Sequence, residues 1–177
     1  MPSRARAEKD AQAVLSVFGD DTLPVPVEAI IRHLGAAVVR QRMEHDVSGM
    51  IFRQDDHATI GINSAHHPRR QRFTAAHEVG HLRLHPGRPL LVDSTVRVNF
   101  RDSLSSQASD GQEIEANAFA AALLMPPAAV HEHVARLQGQ AAYRSREKLV
   151  GELASTFEVS VEAMGYRLLN LGITNSP

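Results

Sequence analysis

The segment His77-Glu78-Val79-Gly80-His81 constrains this chain more than any other part of its sequence. Apolar residues precede and follow it, which indicates a buried helix. Positions i and i+4 of a helix share a face, so the imidazoles of His77 and His81 can approach one metal ion. Glu78 follows His77 too closely to be a natural third ligand, but it can reach a water beside the ion and act as a general base. A surface helix that carries these residues by coincidence would not explain the apolar flanks.

The 177-residue chain contains 10 histidines and no cysteine. The lack of cysteine excludes disulfides, Fe–S clusters, thiol catalysis and cysteine-built zinc sites, so any metal must be held by His, Asp or Glu. Structural zinc sites in proteins mostly use cysteine, so this composition does not favour one. Lys plus Arg total 19 and Asp plus Glu total 20, and the resulting formal charge of −1 argues against attraction of the whole protein to nucleic acid.

A catalytic zinc usually takes three protein ligands, so a third is needed beyond the two histidines. A histidine six residues after His81 would complete one known pattern, but Gly87 occupies that position. His85 follows His81 by four residues, and a third ligand from the same helix would strain tetrahedral geometry. We therefore expect a carboxylate from the next helix, either Glu113 or Glu115.

Asn117 favours Glu113 over Glu115 as that ligand. It follows Glu113 by four residues and so shares its helix face. A metal-bound histidine needs an acceptor for its other ring N–H, and the amide oxygen of Asn117 could supply one. Glu113 as ligand and Asn117 as the supporting acceptor give both residues a function, while Glu115 remains the alternative.

The patterns along the chain predict an α+β fold with a small three-stranded sheet. Helices precede the sheet, the helix with the two histidines follows it, and further helices form the C-terminal part. The segment Pro89 to Ser109 is predicted to be a long functional loop with a possible strand at Val96 to Phe100. The expected strands are Ala36–Val39, Gly49–Phe52 and Ala58–Ile62, and the expected helices are Ala5–Phe18, Pro26–Leu34, Arg69–His85, Asp110–Met125, Ala128–Leu137, Arg144–Phe157 and Val161–Leu171.

The last two predicted helices have the outline of a helix-turn-helix, with Glu158-Val159-Ser160 as the turn. Ser160 is a suitable N-cap for the second helix. That helix carries Arg167 as its only basic residue, whereas phosphate binding needs several, so direct DNA binding is not expected. We expect this pair of helices to complete the core or to dock a partner protein.

The run Arg72 to His81, together with Glu113 to Pro126, resembles the ImmA/IrrE family of bacterial metallo-endopeptidases. The segments Ile60 to Ser64 and Pro68 to Arg72 also fit, so the resemblance covers roughly Ala36 to Pro126. It implies a gluzincin-like zinc site in which His77, His81 and Glu113 are ligands, Glu78 is the base and Asn117 supports a histidine. Gluzincins often have aspartate where this chain has Asn117.

The same resemblance implies a protein substrate, namely a partner transcriptional repressor of the helix-turn-helix type that is cut in a stress or mobile-element response. It implies a zincin-like metallopeptidase domain at residues 1–127, followed by a helical part at residues 128–177. A cytoplasmic location is expected, because no apolar segment long enough for a leader or a membrane span is visible.

An extended substrate is expected to pair with an exposed strand edge at His57 to Asn63, with Asn63 as a substrate-binding residue. The donor for the tetrahedral oxyanion is not assigned, and the candidates include Tyr143, Tyr166, His131 and His133.

Zinc suits two histidines and a glutamate, although manganese or iron could also bind. The main alternative function is a non-catalytic, metal-stabilised module that binds a repressor or DNA. Another hydrolase with the same pentapeptide, peptide deformylase, uses a cysteine ligand that this chain lacks.

Overall fold

The computed structural model describes residues 3–19, 21–87, 89–94, 103–139 and 145–173, with the side chains of residue 94 and residues 103–109 excepted. The described helices and strands form an α+β fold in which helices precede and follow a small sheet. In chain order they are α1 (Arg4–Phe18), α2 (Val27–His33), β1 (Ala36–Gln41), β2 (Val47–Gln54), β3 (His57–Asn63), α3 (Pro68–Leu84), β4 (Leu90–Ser94), α4 (Ser103–Leu124), α5 (Pro127–Gln138), α6 (Arg146–Thr156) and α7 (Val161–Asn170).

The predicted α+β class is confirmed, but the sheet has four strands instead of three. The additional strand, β4, lies in the segment that the sequence assigns to a connection, and α4 begins at Ser103 rather than at Asp110. A strand of five residues is too short to show a clear alternation of apolar and polar residues. Its pairing with β2 stabilises it, and that pairing cannot be seen in the local sequence. The possible strand at Val96 to Phe100 lies outside the described residues.

The strands are ordered β1-β3-β2-β4 across the sheet. β3 pairs in parallel with β1 on one side and antiparallel with β2 on the other, and β4 pairs antiparallel with β2. The expectation that His57 to Asn63 forms an exposed edge is therefore wrong, because both edges of β3 are already hydrogen-bonded. Local patterning shows that a strand exists but not which strands flank it. In the described sheet, the edge strands are β1 and β4.

One face of the sheet packs against α3. Ile51 of β2 and Ile60 and Ile62 of β3 are fully buried and belong to the hydrophobic core. Arg53 at the end of β2 donates from Nη2 to the carbonyl oxygens of His81 at 3.2 Å and His85 at 3.4 Å. A cation at this place complements the negative C-terminal end of α3 and fixes the helix end relative to the sheet.

The contact between α3 and α4 depends on Gly80. A Cβ at this position would lie 3.0 Å from Ala116 Cα, 3.1 Å from the Ala116 oxygen and 3.2 Å from Phe119 Cβ. Glycine therefore allows the two helix backbones to approach closely. The approach brings Glu113 on α4 opposite the two histidines of α3.

The helices α5, α6 and α7 complete the same hydrophobic core, to which they contribute Val130, Leu149, Leu153, Phe157, Met164 and Leu168. Arg167 is buried between α7 and the rest of the protein. Its Nε donates to the Met125 carbonyl oxygen at 3.1 Å, and its Nη1 donates to Glu8 Oε1 at 3.1 Å.

The division into residues 1–127 and 128–177 stays a prediction. Among the described residues, no helix combines the length and apolar character that crossing a bilayer requires.

Candidate metal centre

Three side chains from α3 and α4 converge on one point. His77 and His81 lie one turn apart on the buried face of α3, and Glu113 projects from α4. The Nε2 atoms of the two histidines are 3.0 Å apart. Glu113 Oε2 is 3.2 Å from His77 Nε2, and Glu113 Oε1 is 3.3 Å from His81 Nε2.

These separations match the size of a tetrahedral metal site. Ligand bonds of about 2.0–2.1 Å give a tetrahedron with edges of roughly 3.3–3.4 Å. The distance of 3.0 Å between the two histidine nitrogens and those of 3.2 and 3.3 Å to the two oxygens of Glu113 are close to this range, and they leave space for one ion among the three groups. The donor set of two imidazole nitrogens and a carboxylate oxygen is also one that zinc accepts.

Asn117 contacts the other nitrogen of the first histidine. Its Oδ1 lies 3.0 Å from His77 Nδ1, and since a carbonyl oxygen only accepts, Nδ1 must carry the proton. In the neutral ring, Nε2 then has a bare lone pair that faces Glu113. Two electron-rich groups at this distance repel each other unless a proton or a metal ion lies between them, so the arrangement favours a positive charge at this point.

Glu78 is fully buried, and neither of its carboxylate oxygens has a hydrogen-bond partner among the described residues. Burial raises the pKa of Glu78 to about 8; His77 opposes this rise, and the charges of Asp93 and Glu113 add to it. Burial of a carboxyl group without a hydrogen-bond partner lowers the stability of the folded protein, so its presence here indicates a functional role. A pKa near neutrality also suits a group that takes up and returns a proton.

The space for the Glu78 carboxylate is left by Gly49 on β2. A Cβ at this position would lie 2.6 Å from Thr74 Cγ2 and 2.7 Å from Glu78 Oε1. Only glycine, therefore, leaves room for the carboxylate between α3 and the sheet. Gly49 also pairs with Asp93 of β4, so the edge strand runs beside the same carboxylate.

The charges and hydrogen bonds among His77, His81 and Glu113 favour the ionised form of the Glu113 carboxylate. Burial alone would raise the pKa of Glu113, but hydrogen bonds and charge from His77 and His81 lower it well below its usual range. Burial lowers the pKa of His77, yet the hydrogen bond to Glu113 and nearby acidic charges outweigh it and raise that pKa. The pKa of His81 is lowered, chiefly by burial. Glu113 is thus ionised at neutral pH.

The two other ligand candidates from the sequence face elsewhere. His85 is the C-cap residue of α3, and its Nδ1 atom lies 3.0 Å from the Nδ1 atom of His81. Glu115 contacts His85 Nε2 through Oε2 at 3.0 Å and accepts from the Ser3 amide through Oε1 at 2.7 Å. The hydrogen bond from His85, followed by the one from Ser3, lowers the pKa of Glu115. Neither group joins the convergence of His77, His81 and Glu113.

Asn63, the last residue of β3, is buried, and its side chain is hydrogen-bonded to the loop between β1 and β2. Its Oδ1 accepts from the amides of Met43 at 3.2 Å and Ala65 at 3.0 Å, while Nδ2 donates to the carbonyl oxygens of Glu44 at 3.0 Å and Val47 at 2.7 Å. A side chain with every polar atom in use holds the loop between β1 and β2 in place. Both polar side-chain atoms of Asn63 are thus hydrogen-bonded within the protein, and its role in substrate binding stays a prediction.

The oxyanion candidates are dispersed. Tyr143 lies outside the described residues. His133 donates from Nδ1 to the Ala129 carbonyl oxygen of its own helix at 2.9 Å, and its ring contacts Phe157. Tyr166 is 62% exposed on α7. No donor for an oxyanion is identified by these contacts.

A groove of about 1060 Å³ opens beside the centre, between α3, α4 and α7. Its lining includes Phe73, Ile114, Asn117, Ala121, Val161 and Tyr166. Because Asn117 also contacts His77, the groove begins next to the three converging groups. Sequence patterns did not reveal this groove, since its walls come from distant segments that only the fold brings together.

Two comparisons with known proteins found matches to this chain. The family model described as the IrrE N-terminal-like domain matches residues 31–169. The radiation response metalloprotease IrrE of Deinococcus radiodurans is 36% identical over 115 residues, which cover 64% of this chain and 31% of that protein. The chain thus spans about a third of the length of the curated relative that it matches.

Proposed function

Since this chain belongs to the IrrE N-terminal-like family of metallopeptidases, we propose that it is a metal-dependent endopeptidase of the HExxH type. The observation that carries the proposal is the convergence of His77, His81 and Glu113 within 4.8 Å of one another. The buried and unpartnered carboxylate of Glu78, on the residue next to His77, adds the proton acceptor that hydrolysis requires.

Zinc is the metal that we propose, with His77 Nε2, His81 Nε2 and a Glu113 oxygen as its protein ligands. When bound, zinc lowers the pKa of a coordinated water toward about 7 and polarises the carbonyl of the scissile bond. Three protein ligands leave a further position open for chemistry, as catalytic sites do. Manganese or iron would accept the same donors, so metal analysis decides the identity.

The residues of this chain perform the proton transfers. Glu78 accepts a proton from the attacking water and delivers it to the leaving amine. Neither oxygen of this buried carboxylate is engaged by another group among the described residues, so both are available for the transfer. Asn117 holds the ring of His77 through its Nδ1–H, which keeps Nε2 available as a ligand. Asn63 is proposed to act indirectly, since it holds the loop before β2.

We propose that an extended substrate pairs with the outer edge of β4 rather than with β3. β4 is an edge strand in the described sheet, and it lies antiparallel to β2. Asp93 of this strand is close enough to influence the pKa values of both His77 and Glu78. A peptide added to this edge would gain main-chain hydrogen bonds next to the proposed base.

The proposed substrate is a transcriptional repressor of the helix-turn-helix type, cut in the cytoplasm during a stress or mobile-element response. This proposal rests on the family, and the relative from Deinococcus radiodurans is itself named a radiation response metalloprotease. The alternative of direct DNA binding through α7 has little support, because Arg167, the basic residue of that helix, is 1% exposed and pairs with Glu8.

Substitution of Glu78 by glutamine tests the proposal. Cells that express the wild-type chain or the E78Q variant are compared by mass spectrometry of protein N-termini. We expect new N-termini within a DNA-binding repressor only with the wild-type chain, while both proteins contain about one equivalent of metal. If E78Q relieves repression as fully as the wild type does, the protein acts as a binding module and not as a protease.

A further inference from the structure

A chain of polar contacts leads away from the proposed metal ligand His81. The His81 Nδ1 atom is 3.0 Å from His85 Nδ1, and His85 Nε2 is 3.0 Å from Glu115 Oε2. The second Glu115 oxygen accepts from the backbone amide of Ser3 at 2.7 Å. The side chains of His81, His85 and Glu115 are 0%, 8% and 14% exposed, so this chain of contacts is largely screened from water.

The direction of each hydrogen bond follows from the carboxylate. Glu115 can only accept, so His85 Nε2 must carry a proton and donate it. In the neutral His85 ring, Nδ1 is then an acceptor, and His81 Nδ1 must be the donor. His81 Nε2 consequently has a free lone pair, and this atom is the one that faces His77 and Glu113. Donors and acceptors match at every step.

Histidines that bind metals usually donate their second ring N–H to a carboxylate, a carbonyl oxygen or a water. Asn117 serves His77 in this way at 3.0 Å. For His81, the acceptor is His85 Nδ1. The Glu115 carboxylate on the other side of the His85 ring polarises this ring and so makes Nδ1 a stronger acceptor. Both nitrogens of His85 are occupied in this arrangement, which also explains why His85 is not itself a ligand.

We propose that His85 and Glu115 are positioning residues that hold His81 in the tautomer and orientation needed to bind the metal. The inference rests on the proposed metal site and extends it to two residues outside the HExxH segment. Arg53 supports the same arrangement from the sheet, because it donates to the carbonyl oxygens of His81 and His85.

A matched pair of variants separates positioning from simple packing. Asparagine at position 85 keeps an oxygen near the place of Nδ1, where it can accept from His81, while leucine has nearly the same shape and cannot accept. We expect H85L to lower zinc affinity by about 10- to 100-fold, as is typical for loss of such a partner. H85N should retain affinity within about 3-fold of the wild type. Zinc affinity is measured by competition with a chromogenic chelator.

A spectroscopic measurement gives a readout that does not depend on activity. In the zinc-loaded protein, the Nδ1–H of His81 should appear as a low-field, slowly exchanging proton in NMR spectra of 15N-labelled histidine. H85L should lose or shift this signal, whereas the corresponding signal of His77 remains, since Asn117 is unchanged. E115L should weaken the His81 signal in the same direction, because it removes the group that orients His85.

The outcomes distinguish this inference from the proposed function. If the wild-type chain binds no zinc or other divalent ion, the proposed function fails. If the wild type binds zinc tightly and H85L binds it equally well, only the positioning role is overturned. Equal losses in H85N and H85L would also overturn it, because such a result would indicate packing rather than hydrogen bonding. Melting curves of the metal-free variants show whether each one is folded.

Discussion

At the scale of single residues, Glu78 is an unusual group among the described residues, because both oxygens of its buried carboxylate lack a hydrogen-bond partner there. A carboxylate at 0% exposure without a hydrogen-bond partner among the described residues stabilises nothing in the metal-free protein. Such a residue persists where function requires it, and stability is lost in return. The cost should be visible as a dependence of stability on pH.

Replacement of Glu78 by glutamine should stabilise the metal-free protein at neutral and alkaline pH. The pKa of Glu78 rises from its ordinary value of 4.5 to about 8 on folding, so between these values the unfolded state holds fewer protons and wild-type stability falls as pH rises. Glutamine does not ionise and escapes this loss. We expect E78Q to be more stable by about 2–4 kcal/mol at pH 9 than the wild type.

Urea unfolding in the presence of a chelator at pH 4, 7 and 9 measures this difference. Near pH 4 the wild-type carboxyl is protonated in both states, so the advantage of E78Q should be nearly absent there. A difference that stays constant from pH 4 to pH 9 would show that the burial of Glu78 is not the cause.

At the scale of secondary structure, the site depends on how closely α3 and α4 approach. Each helix carries its residues of the proposed site at the helical spacing that its sequence dictates, namely four residues between His77 and His81, and four between Glu113 and Asn117. The distance between the helices is set elsewhere, at Gly80 and the backbone of Ala116. A small change at this contact should therefore alter the proposed metal site without touching any of its proposed ligands.

Gly80→Ala should destabilise the protein and weaken metal binding. The added methyl group would meet the Ala116 backbone at 3.0–3.1 Å, which cannot move aside as a flexible side chain can. We expect a loss of about 1–3 kcal/mol in the free energy of unfolding, despite the better helix propensity of alanine. Zinc affinity should also fall, because Glu113 moves with α4.

Gly165→Ala is the matched control for this prediction. Gly165 lies within α7, and a Cβ there would meet nothing within 4 Å. We expect this variant to gain about 0.5–1 kcal/mol of stability with unchanged metal affinity. Thermal unfolding and chelator competition measure both quantities, and equal behaviour of the two variants would contradict the role given to Gly80.

At the scale of the whole molecule, Arg167 connects the C-terminal helices to α1 and to the end of α4, the helix that carries Glu113. It is 1% exposed, and it contacts Glu8 of α1 and the Met125 carbonyl oxygen after α4. The spacing of Met164, Arg167 and Leu168 places the arginine on the apolar face of α7. That spacing was visible in the sequence, and it could have indicated a buried role for Arg167.

Arg167→Met should lower stability by about 1–3 kcal/mol, because it leaves Glu8 and a buried carbonyl oxygen without their donor. Arg83→Met is the control: Arg83 pairs with Asp10 of α1 at 3.0 Å, but its side chain is 41% exposed, so a loss below about 1 kcal/mol is expected. The double variant E8M/R167M should recover part of the loss. Urea unfolding checks these values, and equal losses at the exposed and buried pairs would refute this role of Arg167.

The sequence by itself determined the helices, three of the four strands and the local geometry of the two histidines, because periodicity and capping act over a few residues. It also favoured Glu113 and Asn117 through their helical spacing. Only the tertiary structure decided that β3 is central, that β4 is an edge strand beside Glu78, and that His85 and Glu115 contact His81 and Ser3 instead of joining the convergence. These features depend on which distant segments pack together, and that depends on summed burial and pairing across the whole fold, which no short stretch of sequence contains.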